Sequence, residues 1–192
     1  MSMKSSWSIV LATLAMAGVI HIITVLVLPT FAPQNAATRL LALTETNKML
    51  VLPAATPAHQ SLPLMAPDIR YAVCRFDLRN GPVRLSTAIE EDLWVIAFYT
   101  LSGVNFYTIS GGDLKRDKID FIIAPQAEAA VEVGASILDE IEDVVVISSP
   151  EQQGIAVVRA PLPGPSYAQR TELVLSRSSC THDISGIDRI RQ

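Results

Sequence analysis

The chain has 192 residues, with 15 lysine and arginine residues against 19 aspartate and glutamate residues, which gives a net charge of −4. Hydrophobic residues make up 49% of the chain, while charged residues make up 18%, below the roughly 25% typical of soluble domains. This composition excludes a disordered chain, a collagen-like chain and a multi-span channel, and the lack of a basic surplus argues against a nucleic-acid binder.

The apolar excess is concentrated near the N-terminus, where residues 7–28 form a run without a formal charge. A helix of that length, at about 1.5 Å per residue, is about 33 Å long and crosses a hydrocarbon core of roughly 30 Å. Lys4 is the only charged side chain before the run, and Arg39 is the first base after it. The positive-inside rule therefore places residues 1–6 in the cytoplasm, residues 7–28 in the lipid bilayer and the rest of the chain on the far side.

A cleaved signal peptide is the alternative to a membrane anchor. Its apolar core usually has about 7–15 residues, fewer than this run contains. Residues 29–33 also offer a poor small-residue cleavage site. The sequence favours an uncleaved anchor, and both alternatives export the rest of the chain.

Residues 29–67 are predicted to connect the anchor to the exported domain. Residues 35–48 have a partial apolar face and Asn35 as an N-cap, which indicates a short juxtamembrane helix. Regular structure is not expected to persist through the prolines that follow, which are Pro53, Pro57, Pro63 and Pro67. The segment is therefore expected to be a Pro-rich loop or spacer, in which residues 49–52 could still pair briefly as a strand.

From residue 68 onward the hydrophobic pattern alternates with a period of two, which is typical of strands. Residues 69–78 are separated from a second alternating stretch by Asn80-Gly81. An Asn-Gly pair between two such stretches is the strongest short-range hairpin signal, because both of its residues accept positive φ. The sequence therefore predicts a hairpin at residues 69–87.

The remaining segments complete a domain at residues 68–180. The predicted elements are a second hairpin over 93–109, a strand over 117–123, part of a helix within 126–142, a central strand over 144–148, a turn over 149–154, a returning strand over 155–159 and a last helix over 166–179 capped by Ser166.

Hairpin connections imply an antiparallel sheet. The predicted class is α+β, with one N-terminal transmembrane helix and a mostly antiparallel, sandwich-like or rolled sheet with two or three short helices. Residues 181–192 are expected to be a polar tail.

Cys74 and Cys180 are the only cysteines. Cys74 alternates onto the same strand face as Phe76 and should point inward, while Cys180 ends the predicted last helix. Disulfides persist in exported proteins, and a bond closing so long a loop contributes up to about 4.7 kcal/mol in the chain-entropy model. The pair is therefore a candidate disulfide, with one buried thiol and one spare thiol as the alternative.

The sequence carries no recognisable catalytic or cofactor-binding set. It has no zinc-protease motif, no paired-cysteine motif, no nucleophile elbow and no phosphate-binding glycine loop. No catalytic residue, metal ligand or cofactor is assigned. The acidic residues at 139–143 could act as paired carboxylates or bind calcium, but solvated charge at a helix end is the preferred interpretation.

Aromatic residues are concentrated in the second predicted hairpin. Trp94 and Phe98 share one strand face and are expected in the core. If Tyr99, Asn105 and Tyr107 instead faced a groove, they could bind a sugar or an apolar ligand. Core packing is the preferred interpretation of the aromatic residues.

Several of these segments together resemble a bacterial envelope family. They are the anchor, Cys74-Arg-Phe-Asp-Leu-Arg-Asn-Gly-Pro-Val-Arg84, Leu93-Trp-Val-Ile-Ala-Phe-Tyr99, Gly103-Val-Asn-Phe-Tyr107 and Ser149-Pro-Glu-Gln-Gln-Gly154. From the anchor to about Cys180, the chain resembles small single-span bacterial inner-membrane proteins that carry the domain of unknown function numbered twelve fifty-four. The resemblance implies a periplasmic domain on one span, alongside a second membrane protein of related type, and it supplies no catalytic residues.

The function predicted from these observations is that of a membrane-anchored periplasmic domain, a non-enzymatic interaction module of the cell envelope. Its expected partners are the lipid bilayer and a second envelope membrane protein, and not nucleic acid. One alternative is a binding module for a lipid, glycan or small apolar ligand that uses the aromatic hairpin. A further alternative is a carboxylate-dependent hydrolase that uses residues 139–143.

Overall fold

The computed structural model describes residues 3–31, 36–114, 118–126 and 144–182. The chain divides into two compact units, Met1–Asn35 and Ala36–Gln192. Apart from Gln126, the helix predicted within 126–142 lies outside the described residues, together with the carboxylates at 139–143. The predicted helix cap Asn35 and the residues after His182 also lie outside them.

The first unit contains one long helix, α1 (Met3–Phe31). Its residues Ser6–Leu28 are long and apolar enough to cross a membrane, which agrees with the predicted anchor. The hydroxyls of Thr13 and Thr24 donate to carbonyl oxygens one turn earlier, at 2.9 and 2.8 Å, so both polar groups are satisfied within the helix. The helix continues past Pro29, because a proline this near the end removes only one backbone hydrogen bond.

The second unit is built from two β-sheets. The strands are β1 (Met49–Val51), β2 (Ile69–Asp77), β3 (Val83–Ala88), β4 (Val95–Thr100), β5 (Asn105–Ser110), β6 (Lys118–Pro125), β7 (Val144–Ser149), β8 (Gln153–Pro161) and β9 (Ser179–His182). The first sheet has the order β1-β2-β8-β4-β5, and the second has the order β7-β6-β3-β9. The strand pairs are antiparallel except β6 with β7, which run parallel.

One hydrophobic core combines residues from both sheets. Phe76 and Phe98 come from the first sheet, Leu85 and Phe121 come from the second, and all four are fully buried. The rings of Phe98 and Phe121 meet edge to face, with centroids 5.3 Å apart. The predicted α+β class, with a mostly antiparallel sandwich, is therefore confirmed.

The hairpin predicted at residues 69–87 is wrong, although both of its strands exist. β2 pairs with β1 and β8, whereas β3 pairs with β6 and β9, so Asn80-Gly81 lies in a crossover between the sheets. Gly81 adopts a φ of 117°, but Asn80 does not adopt a positive φ, so the type I′ turn is not formed. β2 instead pairs with β8 over nine residues. This pairing depends on Gly154, because a Cβ there would collide with the ring of Phe76.

The other strand predictions are confirmed in position but only partly in pairing. β4 and β5 form the predicted second hairpin, and β6 is the strand predicted at 117–123. β7 is present where a central strand is predicted, but it lies at the edge of its sheet. β8 does not return beside β7 and instead joins β2 and β4 in the first sheet. Local sequence pattern therefore indicates the strands better than it indicates their partners.

The C-terminal part of the described chain differs from the prediction in two respects. The last helix is α3 (Ala168–Ser176), which follows a short 3-10 turn, and no side chain caps it, so the cap predicted at Ser166 is wrong. Cys180 does not end this helix. It lies in β9, opposite Leu85 of β3, and His182, predicted to be in the tail, ends the same strand.

The helix α2 (Ala36–Leu43) and the segment after β1 pack on the outer face of the first sheet, while β1 between them forms the edge of that sheet. The helix buries Leu40 on that outer face. Leu52 and Met65, from the Pro-rich segment, are buried in the same hydrophobic cluster as Val73 of β2. The segment predicted as a juxtamembrane helix and spacer therefore contributes a second apolar layer to the globular unit.

Candidate functional site

A disulfide joins the two sheets inside the core. Cys74 of β2 and Cys180 of β9 are bonded, with Cα atoms 6.3 Å apart and a sequence separation of 106 residues. Both residues are almost completely buried. Cys180 thus reaches Cys74 from a strand and not from a helix. Because solvent does not reach the sulfur atoms, the bond acts as a structural crosslink and not as an accessible redox pair.

Asp77, at the end of β2, is a buried carboxylate surrounded by donors. The Nε of Arg79 lies 3.0 Å from each carboxylate oxygen, and the Nε2 of Gln153 donates to Oδ2 at 2.6 Å. The backbone N–H of Arg79 also donates to Oδ1, at 3.0 Å. These hydrogen bonds, above all the one from the Arg79 side chain, hold the pKa of Asp77 far below its usual value. Asp77 is therefore a poor proton acceptor, and it fastens the end of β2 to the start of β8.

Asn47, in the loop between α2 and β1, connects this loop to both sheets. It has a φ of 55°, a left-handed conformation that asparagine tolerates better than most residues. Its Oδ1 accepts a hydrogen bond from the backbone N–H of Asp77 at 2.8 Å, which fixes the orientation of the amide. Its Nδ2 lies 2.7 Å from Nε2 of His182. Because the amide nitrogen only donates, Nε2 of His182 is the acceptor of this hydrogen bond.

This polar cluster of Asn47, Asp77 and His182 was not predicted from the sequence. The contact between Asn47 and His182 spans 135 positions, so no local spacing points to it. The cluster links the loop between α2 and β1 to β2 and β9 at one end of the sandwich. The hydrogen bonds are structural, and Asp77 is engaged by donors on several sides.

The aromatic residues of the second hairpin do not line a groove. A β-bulge shifts the register of the hairpin after Phe98. The rings of Phe106 and Tyr107 both pack against the ring of Phe98, with centroids 6.3 and 6.0 Å from its centroid. Burial raises the pKa of the Tyr107 hydroxyl. Tyr99 pairs with Asn105, which is exposed. Tyr107 pairs with Phe98 and shares its core-facing side, whereas Tyr99 lies on the opposite side of the strand. The bulge brings Asn105 opposite Tyr99, so the three residues do not form the predicted ligand groove.

The outer side of the first sheet carries an apolar groove, which we call the α2 face. It is lined by Leu40 of α2, by residues 62–65 and by Tyr71, Val73 and Val157. Its cavity has a volume of about 190 Å³, smaller than the roughly 300–1,000 Å³ of typical ligand pockets. The Tyr71 hydroxyl accepts a hydrogen bond from the backbone N–H of Ala66 at 3.3 Å. The α2 face is thus a shallow apolar surface and not a ligand cavity.

Leu64 lies at the rim of the α2 face, where both its backbone conformation and the exposure of its side chain are unfavourable. Its side chain is 97% exposed, and its φ is 62°. A left-handed conformation costs a residue with a Cβ about 1–2 kcal/mol, and an exposed leucine loses the benefit of burial. Strain of this kind clusters at sites where function requires it. The sequence gives no signal for Leu64, because Pro63-Leu64-Met65 is typical of an ordinary loop.

A second depression, of about 350 Å³, lies beside the start of α3. Arg70 lines it, but its guanidinium already pairs with Glu172 of α3 at 3.0 Å, and its side chain is only 11% exposed. The ion pair fastens α3 to β2. Arg70 is therefore committed to holding the fold and is not presented to a ligand.

Acidic side chains do not assemble into a site in the described ranges. No group of three or more metal-binding side chains occurs among the residues that the structure describes. Glu90, from the acidic loop before β4, pairs with Arg170 of α3 at 3.0 Å. This contact is a partly exposed ion pair, the kind that contributes little to stability.

The chain is similar to a family of proteins and to several proteins of known structure. Residues 46–181 match the model of a family described as a protein of unknown function (DUF1254). The crystal structure of the VPA0106 protein from Vibrio parahaemolyticus is similar, with a TM-score of 0.57 and 14% identity, over 79% of this chain and 34% of that one. An uncharacterised protein from Burkholderia cenocepacia gives a TM-score of 0.42 and 12% identity, over 63% of this chain and 33% of that one. The chain thus spans about a third of both proteins. None of the curated proteins matches it.

Proposed function

The chain belongs to the DUF1254 family of proteins of unknown function, and we propose that it is a membrane-tethered, periplasmic interaction module of the bacterial cell envelope, without catalytic activity. The observation that carries the proposal is the combination of α1, which is apolar enough to span a membrane, with a sandwich that a disulfide crosslinks. Because disulfides persist mainly in exported compartments, the bond supports a periplasmic location for the second unit. Lys4 before the apolar run supports a cytoplasmic N-terminus.

The polar groups of the described residues support contact more than catalysis. Asp77 has its pKa lowered by Arg79 and Gln153, so it is a weak base. Arg70 is bonded to Glu172. Asp77 and Arg70 are thus both engaged in holding strands and helices together.

Exposed apolar side chains beside α3 supply the contact surface that we propose for a second envelope membrane protein. Leu173 of α3 is 55% exposed and Tyr167, just before the helix, is 42% exposed. Tyrosine is enriched at protein interfaces, because its ring adds apolar area and its hydroxyl adds a hydrogen bond. The opposite side of the helix is buried through Thr171, Val174 and Leu175. This packing holds α3 in place, so that its exposed side can contact a partner.

The topology is tested with a reporter enzyme fused to the C-terminus of the full chain. A reporter that is active only outside the cytoplasm is the expected result. Thiol labelling of the unreduced, denatured chain should also leave Cys74 and Cys180 unmodified. A reporter active only in the cytosol would overturn the proposed location.

The partner is tested by photocrosslinking in intact cells. A photoreactive amino acid replaces Leu173 in the full chain, and the adducts are isolated under denaturing conditions. We expect one discrete adduct with a membrane protein, which the same substitution at Val104, 60% exposed at the β4–β5 turn, does not give. Equal adducts from both positions, or none from Leu173, would contradict the interaction.

A binding module for a small apolar ligand is the alternative. The 190 Å³ of the α2 face is too small for most ligands of that kind, and the aromatic rings of the second hairpin pack into the core. At the α2 face and at the second hairpin, these observations favour a surface contact over an enclosed ligand.

A further inference from the structure

The α2 face is tied by a short piece of chain to the end of the apolar helix. Four residues, 32–35, separate the end of α1 at Phe31 from the start of α2 at Ala36. A chain advances at most about 3.6 Å per residue, so the five steps between them reach at most about 18 Å. If α1 spans a bilayer, α2 is therefore tethered close to the surface of that bilayer.

The same segment presents apolar side chains that the globular unit leaves uncovered. Leu64 is 97% exposed, and Leu43 at the end of α2 is 51% exposed. Leu62 and Pro63 continue the apolar lining next to Leu64. The left-handed backbone of Leu64 holds this leucine at the rim of the groove, in a conformation that glycine or asparagine would adopt with less strain. An apolar environment around Leu64 would offset the cost of that exposure.

Charge distinguishes this segment from the rest of the globular unit. Residues 36–67 contain two bases and one acid, a net charge of +1, whereas residues 68–192 contain 12 bases and 18 acids, a net charge of −6. Anionic headgroups repel acidic surfaces and attract basic ones. The segment nearest to the anchor in sequence is thus the part of the unit best suited to lie against an anionic bilayer.

We propose that the α2 face is a lipid-docking surface. It lies on the bilayer that α1 crosses, and Leu64 inserts at the boundary between the headgroups and the acyl chains. This inference rests on the membrane tethering of the proposed function, and it adds a defined lipid contact to it. The chain is then held to the membrane at two places, by the spanning helix and by the shallow apolar face.

The test places a fluorophore at position 64 of the full chain in proteoliposomes of phosphatidylethanolamine and phosphatidylglycerol. The native cysteines are bonded to each other, so Leu64→Cys gives a single thiol that reacts with a bimane label. Quenching by a lipid with a nitroxide near its headgroup is compared with quenching by iodide in the water. The matched control is Val104→Cys, which labels another exposed apolar residue, at the β4–β5 turn.

We expect the lipid quencher to lower the emission of the label at position 64 about two-fold and to leave the label at position 104 unchanged. Iodide should quench the label at position 104 more strongly than the label at position 64. Leu43→Cys is the second probe and should follow position 64. Each labelled variant must keep the bond between Cys74 and Cys180, which shows that the sandwich has folded.

A label at position 64 that iodide quenches as strongly as at position 104 would overturn lipid docking. So would efficient crosslinking of two Leu64→Cys copies by a short bifunctional thiol reagent, because a second copy would then cover the face. These outcomes leave the photocrosslinking result at Leu173 unaffected. Conversely, a cytosolic reporter would overturn the proposed function without changing the quenching, since the liposome measurement does not depend on the cellular compartment.

Discussion

The two apolar layers of the globular unit differ in how completely they are filled. The interior between the sheets holds large aromatic rings that are fully buried, together with a disulfide. The layer beneath α2 is mainly aliphatic and leaves a groove of about 190 Å³ with Leu64 exposed at its rim. In a densely packed core, each methylene group that is removed lowers the free energy of unfolding, because the surrounding side chains cannot fill the cavity. In a loosely packed layer, the neighbouring side chains can move into the space, so the loss is smaller. We therefore expect the interior to contribute more to the stability of the fold than the layer beneath α2.

The largest effect should come from the interior. Phe98→Ala removes a fully buried ring that contacts Phe106, Tyr107 and Phe121. We expect the free energy of unfolding to fall by about 3–5 kcal/mol. Leu40→Ala, in the layer beneath α2, should cost about 2 kcal/mol, the low end for a leucine, because the groove is already incompletely filled.

Denaturant titration of the full chain in mild detergent, followed by tryptophan fluorescence, measures both losses under identical conditions. The comparison between the layers fails if Leu40→Ala costs as much as Phe98→Ala. Equal costs would mean that α2 is as firmly packed as the sandwich.

The disulfide should have the next largest effect. Cys74→Ala combined with Cys180→Ala leaves two small apolar side chains in the core and removes the link between the sheets. We expect a loss of about 2–4 kcal/mol, mainly because the unfolded chain gains the freedom of a long open loop. The midpoint of denaturation is compared with that of the oxidised native chain.

Reduction of the native chain provides the control for this substitution. Because both sulfur atoms are buried, a mild reductant should open the bond only after the chain unfolds. Rapid reduction of the folded chain would contradict the core location of the bond.

The interior was largely predictable from the sequence, whereas its pairing was not. Alternation of apolar residues identified β3 and β6, because more buried and less buried residues alternate along these strands and the period of two survives in the sequence. β2 and β4 were identified by their runs of β-branched and aromatic residues. Asn80-Gly81 failed as a hairpin signal because both edges of β2 are already paired, over three residues with β1 and over nine with β8. Those contacts are non-local, and a local turn preference cannot compete with nine paired residues.

Asp77 should give the third effect, and this effect depends on pH. The folded-state pKa of Asp77 lies below its ordinary value of 3.8, because Arg79 donates hydrogen bonds to the carboxylate. Its contribution to stability is therefore fully present above that value and is lost as the pH falls toward the folded-state pKa. Asp77→Asn should lower the free energy of unfolding at neutral pH by about 1–3 kcal/mol.

The measurement is the free energy of unfolding as a function of pH. The native chain should lose stability below about pH 5, and the Asp77→Asn variant should show a shallower decline, because the group that takes up the proton is absent. Glu151→Gln, at an exposed carboxylate outside this cluster, is the control and should leave the curve unchanged. A curve for Asp77→Asn parallel to that of the native chain would show that the carboxylate does not carry the dependence.

The candidate surfaces were less predictable than the core. Asn47 and His182 meet across 135 positions, and their residue types are ordinary in a loop and a tail. The α2 face is made by a Pro-rich segment, in which hydrophobic periodicity is absent, so the burial of Leu52 and Met65 has no sequence signal. Their partner Val73 lies on the outer face of β2, and a strand buried on both faces loses the contrast between an inner and an outer side.

The smallest effect should have the opposite sign and comes from the α2 layer. Leu64 is strained by its φ of 62°, and its side chain contributes little burial. Leu64→Asn keeps a side chain that accepts the left-handed conformation, so the free energy of unfolding in detergent should rise by about 0.5–1 kcal/mol. Leu93→Asn is the matched control, since Leu93 is 72% exposed without a positive φ and should show no gain. If Leu64→Asn destabilised the chain, the leucine would be supporting the fold. If Leu64→Asn stabilised the chain, Leu64 would be a residue that lowers the free energy of unfolding. Such a destabilising residue is expected where a surface serves binding.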